Sequence, residues 1–284
     1  MRPRQWTKNL AVFAAIIFAG KLLDLRSLGV VTLAAVAFCL VSSALYALND
    51  VLDAERDRQH PTKCDRPVAS GRLSTGRALG IAVSLLVVSL SLSLLLGVPF
   101  LATVSAYVGI QVAYALWLKH VQIVDMLVIS TGFVVRAVAG AVVISVAVSP
   151  WLVLCTGLLA LFLAAAKRRQ EMVLLGGHSS GHRPVLSEYS VELLDSFMVT
   201  LSSATVTSYA LYTFFQSRGH DFVMMATIPL VIYGVLRYQY LVLRKDSGGS
   251  PEDVLLDDRP IRADIVLWSV SVVVAIYVVP RFIR

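Results

Sequence analysis

The chain has 284 residues, of which 57% are hydrophobic and only 15% are charged. Soluble domains carry about a quarter charged residues, so the composition argues against a soluble enzyme, a DNA-binding domain or a disordered chain. The net charge of +7 is read first as a signal of membrane orientation, and we expect no nucleic-acid partner.

Long uncharged apolar runs predict bilayer-spanning helices, because about 20 helical residues cross a hydrocarbon core. Gly97-Val98-Pro99 and Ser149-Pro150 divide two of these runs, since proline ends a helix. The predicted helices, in chain order, are 9–23, 27–48, 78–96, 100–118, 126–145, 150–166, 196–217, 222–243 and 265–280. The sequence therefore predicts an all-α polytopic membrane protein with about nine transmembrane helices, forming a single domain over residues 1–284.

Lysine and arginine are unevenly divided between the two ends of these helices. One end holds the N-terminus and the long connections 51–77, 167–195 and 244–264, and it carries 18 of the 25 Lys and Arg residues. The opposite end carries 5, and two more, Arg136 and Arg237, lie inside predicted helices. By the positive-inside rule, we expect a plasma (inner) membrane protein whose N-terminus and long loops are cytoplasmic.

The first long connection opens with a cluster of oxygen-bearing side chains. If the second helix continues beyond residue 48, these side chains fall within an arc of about 100°, with Glu55 on the opposite side. The cluster consists of Tyr46, Asn49, Asp50, Asp53 and Asp57. Such donors suit Mg²⁺. The alternative is a solvated helix end whose acids pair with Arg56 and Arg58.

Basic side chains accompany this acidic cluster. They are Lys8, Lys63, Arg66, Arg72, Lys119, Lys167, Arg168 and Arg169. Cations beside a Mg²⁺ site are typical of a diphosphate clamp, but inner loops also carry such residues for topology, which is the better explanation for Arg72.

Arg136 differs from the other cations, because a cation within a span costs at least about 3 kcal/mol on insertion scales. We expect it to face a cavity and to have a partner. Asp125 lies on the same helical face but is too far along the axis to pair with it directly.

Glu188, Glu192 and Asp195 share one helical face. They indicate either a second acidic site or an exposed helix start, where acids interact favourably with the helix dipole. The sequence leaves both interpretations open.

Three patterns together resemble a known family. They are Asn49-Asp50-x-x-Asp53-x-x-x-Asp57, His60-Pro-x-Lys63-x-x-Arg66-Pro-x-Ala-Ser-Gly71 and Arg2-Pro3-Arg4-Gln5-Trp6-x-Lys8-Asn9. With nine predicted spans, they resemble the UbiA superfamily of intramembrane prenyltransferases. The third pattern is similar to the branch that transfers phosphoribosyl groups to polyprenyl phosphate for cell-wall arabinan. Aromatic prenyltransferases of the superfamily normally carry a second Asp-x-x-x-Asp motif after the sixth span, where this chain has Lys167-Arg168-Arg169-Gln170-Glu171.

The resemblance implies a UbiA-like helical bundle with a cytoplasm-facing active-site cavity and one well-defined Mg²⁺ site. It implies transfer of 5-phosphoribosyl from phosphoribosyl diphosphate to decaprenyl or another polyprenyl phosphate, with release of diphosphate. The implied metal ligands are Asn49, Asp53 and Asp57, and the implied catalytic acids are Asp50, Asp53 and Asp57. The implied substrate-binding residues are Lys8, Tyr46, Lys63, Arg66, Lys119, Arg136, Lys167, Arg168 and Arg169, of which the last three would hold the acceptor phosphate. A homo-oligomer remains open.

Two rival functions stay open at this point. A UbiA-type aromatic polyprenyltransferase would use the same Mg²⁺ site to activate a prenyl diphosphate. An anionic-lipid transporter would use Arg136 and Arg237 as substrate contacts, but it would usually show an internal repeat, and we find no convincing one.

Overall fold

The computed structural model describes residues 3–59, 64–175, 189–216, 223–244, 254 and 257–282. All regular elements in these ranges are helical. The α-helices are α1 Ala14–Phe18, α2 Leu25–Leu52, α3 Ala54–Arg58, α4 Thr75–Leu95, α5 Val98–Leu116, α6 Val124–Val143, α7 Pro150–Leu175, α8 Val191–Gln216, α9 Ile228–Arg244, α10 Arg259–Val273 and α11 Val279–Phe282. Three 3₁₀ elements lie at Pro3–Phe13, Leu118–His120 and Met224–Thr227, and a π-helical turn, Val274–Val278, joins α10 to α11.

The helices confirm the predicted all-α polytopic membrane fold. Within the described ranges, seven helical stretches are long and apolar enough to cross a bilayer: those built on α2, α4, α5, α6, α7, α9 and α10. The 26-residue α8, which is rich in serine and threonine, is not among the seven. The predicted number of nine spans therefore stays a prediction.

The two proline breaks are confirmed. Gly97 adopts a φ of +117° between α4 and α5, and Pro99 lies in the first turn of α5. Pro150 is the first residue of α7. Proline fits the first turn of a helix because the N–H groups there have no intrahelical acceptor.

The first predicted helix, 9–23, differs in the structure. It consists of the 3₁₀ segment Pro3–Phe13, here called the N-terminal segment, followed by the five-residue α1. The N-terminal segment packs against α2 and α6, and Val12 is fully buried. A Cβ atom at Gly140 of α6 would lie only 1.9 Å from the Val12 carbonyl oxygen. The apolar pattern marks this segment as buried but does not reveal this packing.

The ends of α2 and α7 position the functional groups. The condition for the acidic arc is met, because α2 runs to Leu52, beyond the predicted end at residue 48, and the Asp53 and Asp57 N–H groups donate to the carbonyls of Asn49 and Asp53 at 2.9 and 2.8 Å. The predicted end of helix 150–166 is wrong, because α7 runs to Leu175. Lys167, Arg168 and Arg169 are therefore helical residues and not part of a loop.

The core has two packed regions that share α6. Phe38 of α2 packs edge-on against Phe100 and Tyr107 of α5 in the first region. Phe162 of α7 packs against Tyr238 of α9 in the second. Residues of α6 contribute to both regions, so this helix joins the two parts of the core.

Candidate functional site

The acidic motif after α2 is held by a basic residue that follows it in the chain. Arg66 Nη1 contacts Asp57 Oδ2 at 2.6 Å and Asp50 Oδ1 at 3.3 Å. Both carboxylates are buried, whereas Glu55, predicted to lie on the opposite side, is 84% exposed and pairs with Arg58 at 2.6 Å. The acids are therefore paired with cations. The partner of Asp50 and Asp57 is Arg66, however, and not Arg56 or Arg58, which the solvated-helix alternative predicted.

A compact turn carries Arg66 to the acids. The N–H of Ser70 donates to the Arg66 carbonyl, and that of Leu73 donates to the Pro67 carbonyl, both at 2.8 Å. Arg72 donates to the Asp65 carbonyl and to Ser70 Oγ, which gives it a role within the turn. The preceding residue of interest, Lys63, lies outside the described residues.

Lys119 brings the connection between α5 and α6 to the same motif. Its Nζ lies 2.7 Å from Asp53 Oδ1, and the lysine is buried. Lys119 belongs to the short 3₁₀ turn Leu118–His120. Three carboxylates of one motif therefore pair with cations from two different connections.

The N-terminal segment lies along the same face of α2. Lys8 Nζ donates a hydrogen bond to Gln5 Oε1, and the Tyr46 hydroxyl contacts the same oxygen at 3.5 Å. Trp6 Nε1 donates to Ser43 Oγ at 3.2 Å. Lys8 and Tyr46, both predicted to bind substrate, are thereby joined through one glutamine.

Arg136 is buried in the middle of α6, and its described partners are neutral. Its guanidinium donates to Asn9 Oδ1 at 2.8 Å, the Tyr107 hydroxyl at 2.7 Å and the Gly132 carbonyl at 2.7 Å. The guanidinium carbon also lies 4.8 Å from the centre of the Tyr107 ring. Asp125 is not its partner, as the axial spacing predicted. Arg136 thus ties α6 to α5 and to the N-terminal segment.

Arg168 has a different environment from the one expected of a phosphate ligand at the membrane edge. It is 1% exposed, and it contacts Asp125 Oδ2 at 2.5 Å and Glu171 Oε2 at 2.6 Å. It also donates to the Tyr114 hydroxyl at 3.1 Å. Sequence reasoning missed these partners, although the acid at the start of α6 was a signal that a cation must lie nearby.

Tyr189, just before α8, completes this network. Its hydroxyl donates to Asp125 Oδ1 at 3.0 Å and accepts the Ile123 N–H at 2.6 Å. Burial raises the pKa of Tyr189 to about 12, so the phenol stays protonated at neutral pH. The network therefore links the ends of α5, α6 and α7 to the start of α8.

The third basic residue of α7 also pairs with an acid. Arg169 Nε lies 2.6 Å from Asp195 Oδ1 of α8, and Arg169 Nη1 donates to the Val242 carbonyl of α9 at 3.1 Å. Glu192 is exposed in the first turn of α8, which favours the helix-start interpretation of these acids, and Glu188 lies outside the described residues. Lys167, the neighbour of Arg168, is half-buried on α7.

The end of α2 is the candidate Mg²⁺ site. Among the described residues, no three His, Cys, Asp or Glu side chains converge on a single point. The residue types nevertheless fit, because the α2 end offers carboxylate and amide oxygens, and Mg²⁺ commonly takes one or two carboxylates and completes its shell with water and substrate phosphate. In the structure, these carboxylates form ion pairs with Lys119 and Arg66.

An apolar cavity of about 590 Å³ lies away from the acidic motif. It is lined by residues of α1, α6, α7, α8, α9 and α10, including Phe18, Trp151, Tyr212, Tyr238 and Trp268. None of the predicted site residues lines it. Its size is that of a typical ligand pocket, and its walls suit an apolar chain.

Comparisons with known proteins identify the family and the fold. A sequence model of the UbiA prenyltransferase family matches residues 10–254. A decaprenyl-phosphate phosphoribosyltransferase from Corynebacterium glutamicum is 35% identical over 99% of this chain and 87% of its own length. The enzyme of the same name from Mycobacterium tuberculosis is 36% identical over 97% of this chain and 92% of its own. A solved structure of a UbiA homolog from Archaeoglobus fulgidus bound to GPP and Mg²⁺ superposes with a TM-score of 0.74, at 19% identity, over 98% of both chains.

Proposed function

The chain belongs to the UbiA prenyltransferase family and is a transferase, and we propose that it transfers 5-phosphoribosyl from phosphoribosyl diphosphate to a polyprenyl phosphate. The C-terminal side of α2 is the proposed active site, and we place it on the cytoplasmic side of the plasma membrane. The acceptor, decaprenyl phosphate in the named relatives, would approach from the bilayer. The product would be a lipid-linked pentose for cell-wall arabinan.

The observation that carries this proposal is the pairing of acids and cations at the end of α2. Asp53 faces Lys119, and Asp57 faces Arg66, so carboxylates and cations alternate in one small volume. Such a site can bind a metal–diphosphate complex, because the carboxylates hold the metal while the cations turn to the phosphate oxygens. A neutral or purely acidic site would lack the cations that bind the phosphate oxygens.

The proposed metal site uses Asn49, Asp53 and Asp57, with Asp50 directly behind them in the Arg66 contact. Mg²⁺, when bound, neutralises charge on the diphosphate and stabilises it as a leaving group. Lys119 and Arg66 would bind the diphosphate oxygens, with Lys63 joining them from the same connection. These cations act where negative charge develops as the bond to the anomeric carbon breaks.

The N-terminal segment provides the other side of the site. Lys8 would bind a phosphate of the donor, and Tyr46 would hydrogen-bond to it, because both already converge on Gln5. Arg136 of α6 would hold the N-terminal segment in this position through its hydrogen bond to Asn9. The acceptor phosphate requires no general base, since its second pKa is about 6 by analogy with phosphorylated side chains.

The ion pairs that Arg168 and Arg169 make within the protein change the role that we propose for them. Arg168 is proposed as a residue that holds α5, α6 and α7 together, and Arg169 as one that holds α7 to α8 and α9. Lys167 remains our candidate for the acceptor phosphate. The apolar cavity between α7, α9 and α10 is the proposed place for part of the lipid chain.

The test is a transfer assay with purified protein, Mg²⁺, labelled phosphoribosyl diphosphate and decaprenyl phosphate. Label extracted into organic solvent is the expected result, with loss of the signal when EDTA removes the metal. A folded protein that makes no lipid-linked ribose would contradict the proposal. Parallel reactions with prenyl diphosphate and an aromatic acceptor test the rival prenyltransferase, and uptake of labelled lipid phosphate into vesicles tests the transporter.

A further inference from the structure

The turn that carries Lys119 into α6 has an unusual backbone. Ile123, the residue before α6, adopts φ +62° and ψ −43°, and the Val124 N–H donates to the Gln122 carbonyl at 2.6 Å. These features define a γ-turn with a positive φ, a rare and strained conformation. For a β-branched residue such a φ is an outlier, so neighbouring groups must hold it in place.

One side chain from a distant part of the sequence holds this turn. The Tyr189 hydroxyl accepts the Ile123 N–H at 2.6 Å and donates to Asp125 Oδ1 at 3.0 Å. Asp125 is itself held at 2.5 Å by Arg168. The Tyr189 hydroxyl is therefore held by one accepted and one donated hydrogen bond, and the side chain is buried.

The same turn lies close to Lys119 in the chain. Lys119 lies four residues before Ile123, and the intervening backbone is short and hydrogen-bonded: His120 N–H donates to Trp117, and Val121 N–H donates to Leu118. A change in φ at Ile123 would therefore redirect this 3₁₀ turn against α6. The ammonium of Lys119 would then leave Asp53, 2.7 Å away in the structure.

We propose that Tyr189 is a positioning residue, which holds Lys119 at Asp53 by fixing the strained backbone of Ile123. Tyr189 touches neither Lys119 nor Asp53 in its described hydrogen bonds, so it acts through the turn. The consequence for catalysis rests on the proposed function, whereas the consequence for Lys119 does not. Because Tyr189 lies two residues before α8, the position of that helix would also affect Lys119, the lysine proposed to bind the diphosphate.

The first measurement does not depend on activity. Purified Tyr189→Phe is treated with an amine-reactive reagent, and modification of Lys119 is followed by peptide mass spectrometry. We expect Lys119 to react several times faster than in the unmodified protein, because its carboxylate partner no longer shields it. Tyr233→Phe, at an exposed tyrosine of α9, is the matched control. Equal rates in the two variants would overturn the proposal.

The second measurement tests the route through the backbone. Glycine adopts positive φ without the steric cost that isoleucine meets, so the Ile123→Gly/Tyr189→Phe double variant should no longer need the phenol. We expect it to restore slow modification of Lys119. Because the glycine relieves the strain, we expect the double variant to fold even if Tyr189→Phe alone does not. Continued fast modification of Lys119 in the folded double variant would overturn the proposal.

Kinetics separate this inference from the proposed function. In Tyr189→Phe we expect KM for phosphoribosyl diphosphate to rise about tenfold with a smaller change in kcat, since Lys119 binds the donor in the ground state as well as in the transition state. The double variant should recover most of this loss. If the unmodified protein transfers no phosphoribosyl group, the proposed function fails, and the modification of Lys119 still decides the role of Tyr189.

Discussion

Arg136 shows how a cation is retained inside an apolar bundle. Its charge meets amide, carbonyl and hydroxyl oxygens and the face of the Tyr107 ring. Hydrogen bonds from a charged donor are each worth about 1.5–3 kcal/mol, and together with the ring contact they offset the desolvation of one guanidinium. Lysine lacks the planar fork that reaches these separate partners, so the position favours arginine.

At the same scale, Asp53 and Glu55 form a matched pair for mutation. Asp53→Asn removes a proposed metal ligand and the Lys119 partner, and we expect kcat/KM for phosphoribosyl transfer to fall at least about 100-fold. Glu55→Gln, two residues away on the exposed face, should stay within about twofold, as surface ion pairs contribute little. Initial rates by organic extraction give the comparison.

Thermal unfolding of both variants serves as the control for this comparison. Each variant should unfold cooperatively near the temperature of the unmodified protein. A folded Asp53→Asn protein with full activity would show that the acidic face has no part in catalysis.

At the scale of elements, the N-terminal segment departs most from the pattern-based prediction. Its apolar residues predicted a spanning helix, yet it forms a 3₁₀ segment and the short α1 between α2 and α6. The arrangement depends on Gly140, where α6 meets the Val12 carbonyl. Asn9 of this segment accepts a hydrogen bond from Arg136 of α6, and Lys8 donates to Gln5 within the segment.

Gly140→Ala tests this packing. The added Cβ would lie 1.9 Å from the Val12 carbonyl oxygen, so the N-terminal segment must move, and we expect a loss of about 1–3 kcal/mol in stability together with reduced transfer activity. Gly109→Ala in α5, where a Cβ meets nothing within 4 Å, should be neutral or stabilising by up to about 1 kcal/mol. Unfolding temperatures in detergent compare the two, and equal values would contradict the packing.

The length of α7 is a second element that the pattern underestimated. The apolar run ends at residue 166, but the helix continues to Leu175, because Arg168 pairs with the buried Asp125 of α6 and Arg169 pairs with the partly exposed Asp195 of α8. The length of an apolar run reflects the thickness of the hydrocarbon core that the helix crosses, and not the full length of the helix. A charged stretch that follows a span can therefore remain helical when partners from other helices pair with it.

On the scale of the whole molecule, the charged residues gather at one end of the bundle and apolar side chains face outward. The outer face of α4, for example, exposes Val83, Val87 and Val88, as expected for contact with lipid. Ion pairs join Asp53 to Lys119, Asp125 to Arg168, and Asp195 to Arg169 at the charged end. These contacts connect the end of α2 to the α5–α6 connection, and the ends of α6 and α7 to α8, whereas residues 176–188 and 245–253 of the long connections lie outside the described residues, so the grouping of all three connections at one end stays a prediction.

Which side of the membrane this end faces can be measured directly. With the three native cysteines replaced, Thr75→Cys marks the charged end of α4 and Val98→Cys marks the opposite end. In intact cells, a membrane-impermeant maleimide should modify Val98→Cys at once and Thr75→Cys only after permeabilisation, because the Lys and Arg excess places the charged end inside. The reverse order of labelling would contradict the proposed orientation.

The sequence by itself determined the helical membrane fold, the proline breaks and the one-sided acidic face after α2. These features follow from composition and from the 3.6-residue period, which act locally along the chain. Only the tertiary structure decided that the N-terminal segment packs inside the bundle, that Arg168 pairs with Asp125, and that Tyr189 holds the Ile123 turn. These contacts join residues far apart in sequence, and their geometry depends on how whole helices pack, which no local pattern encodes.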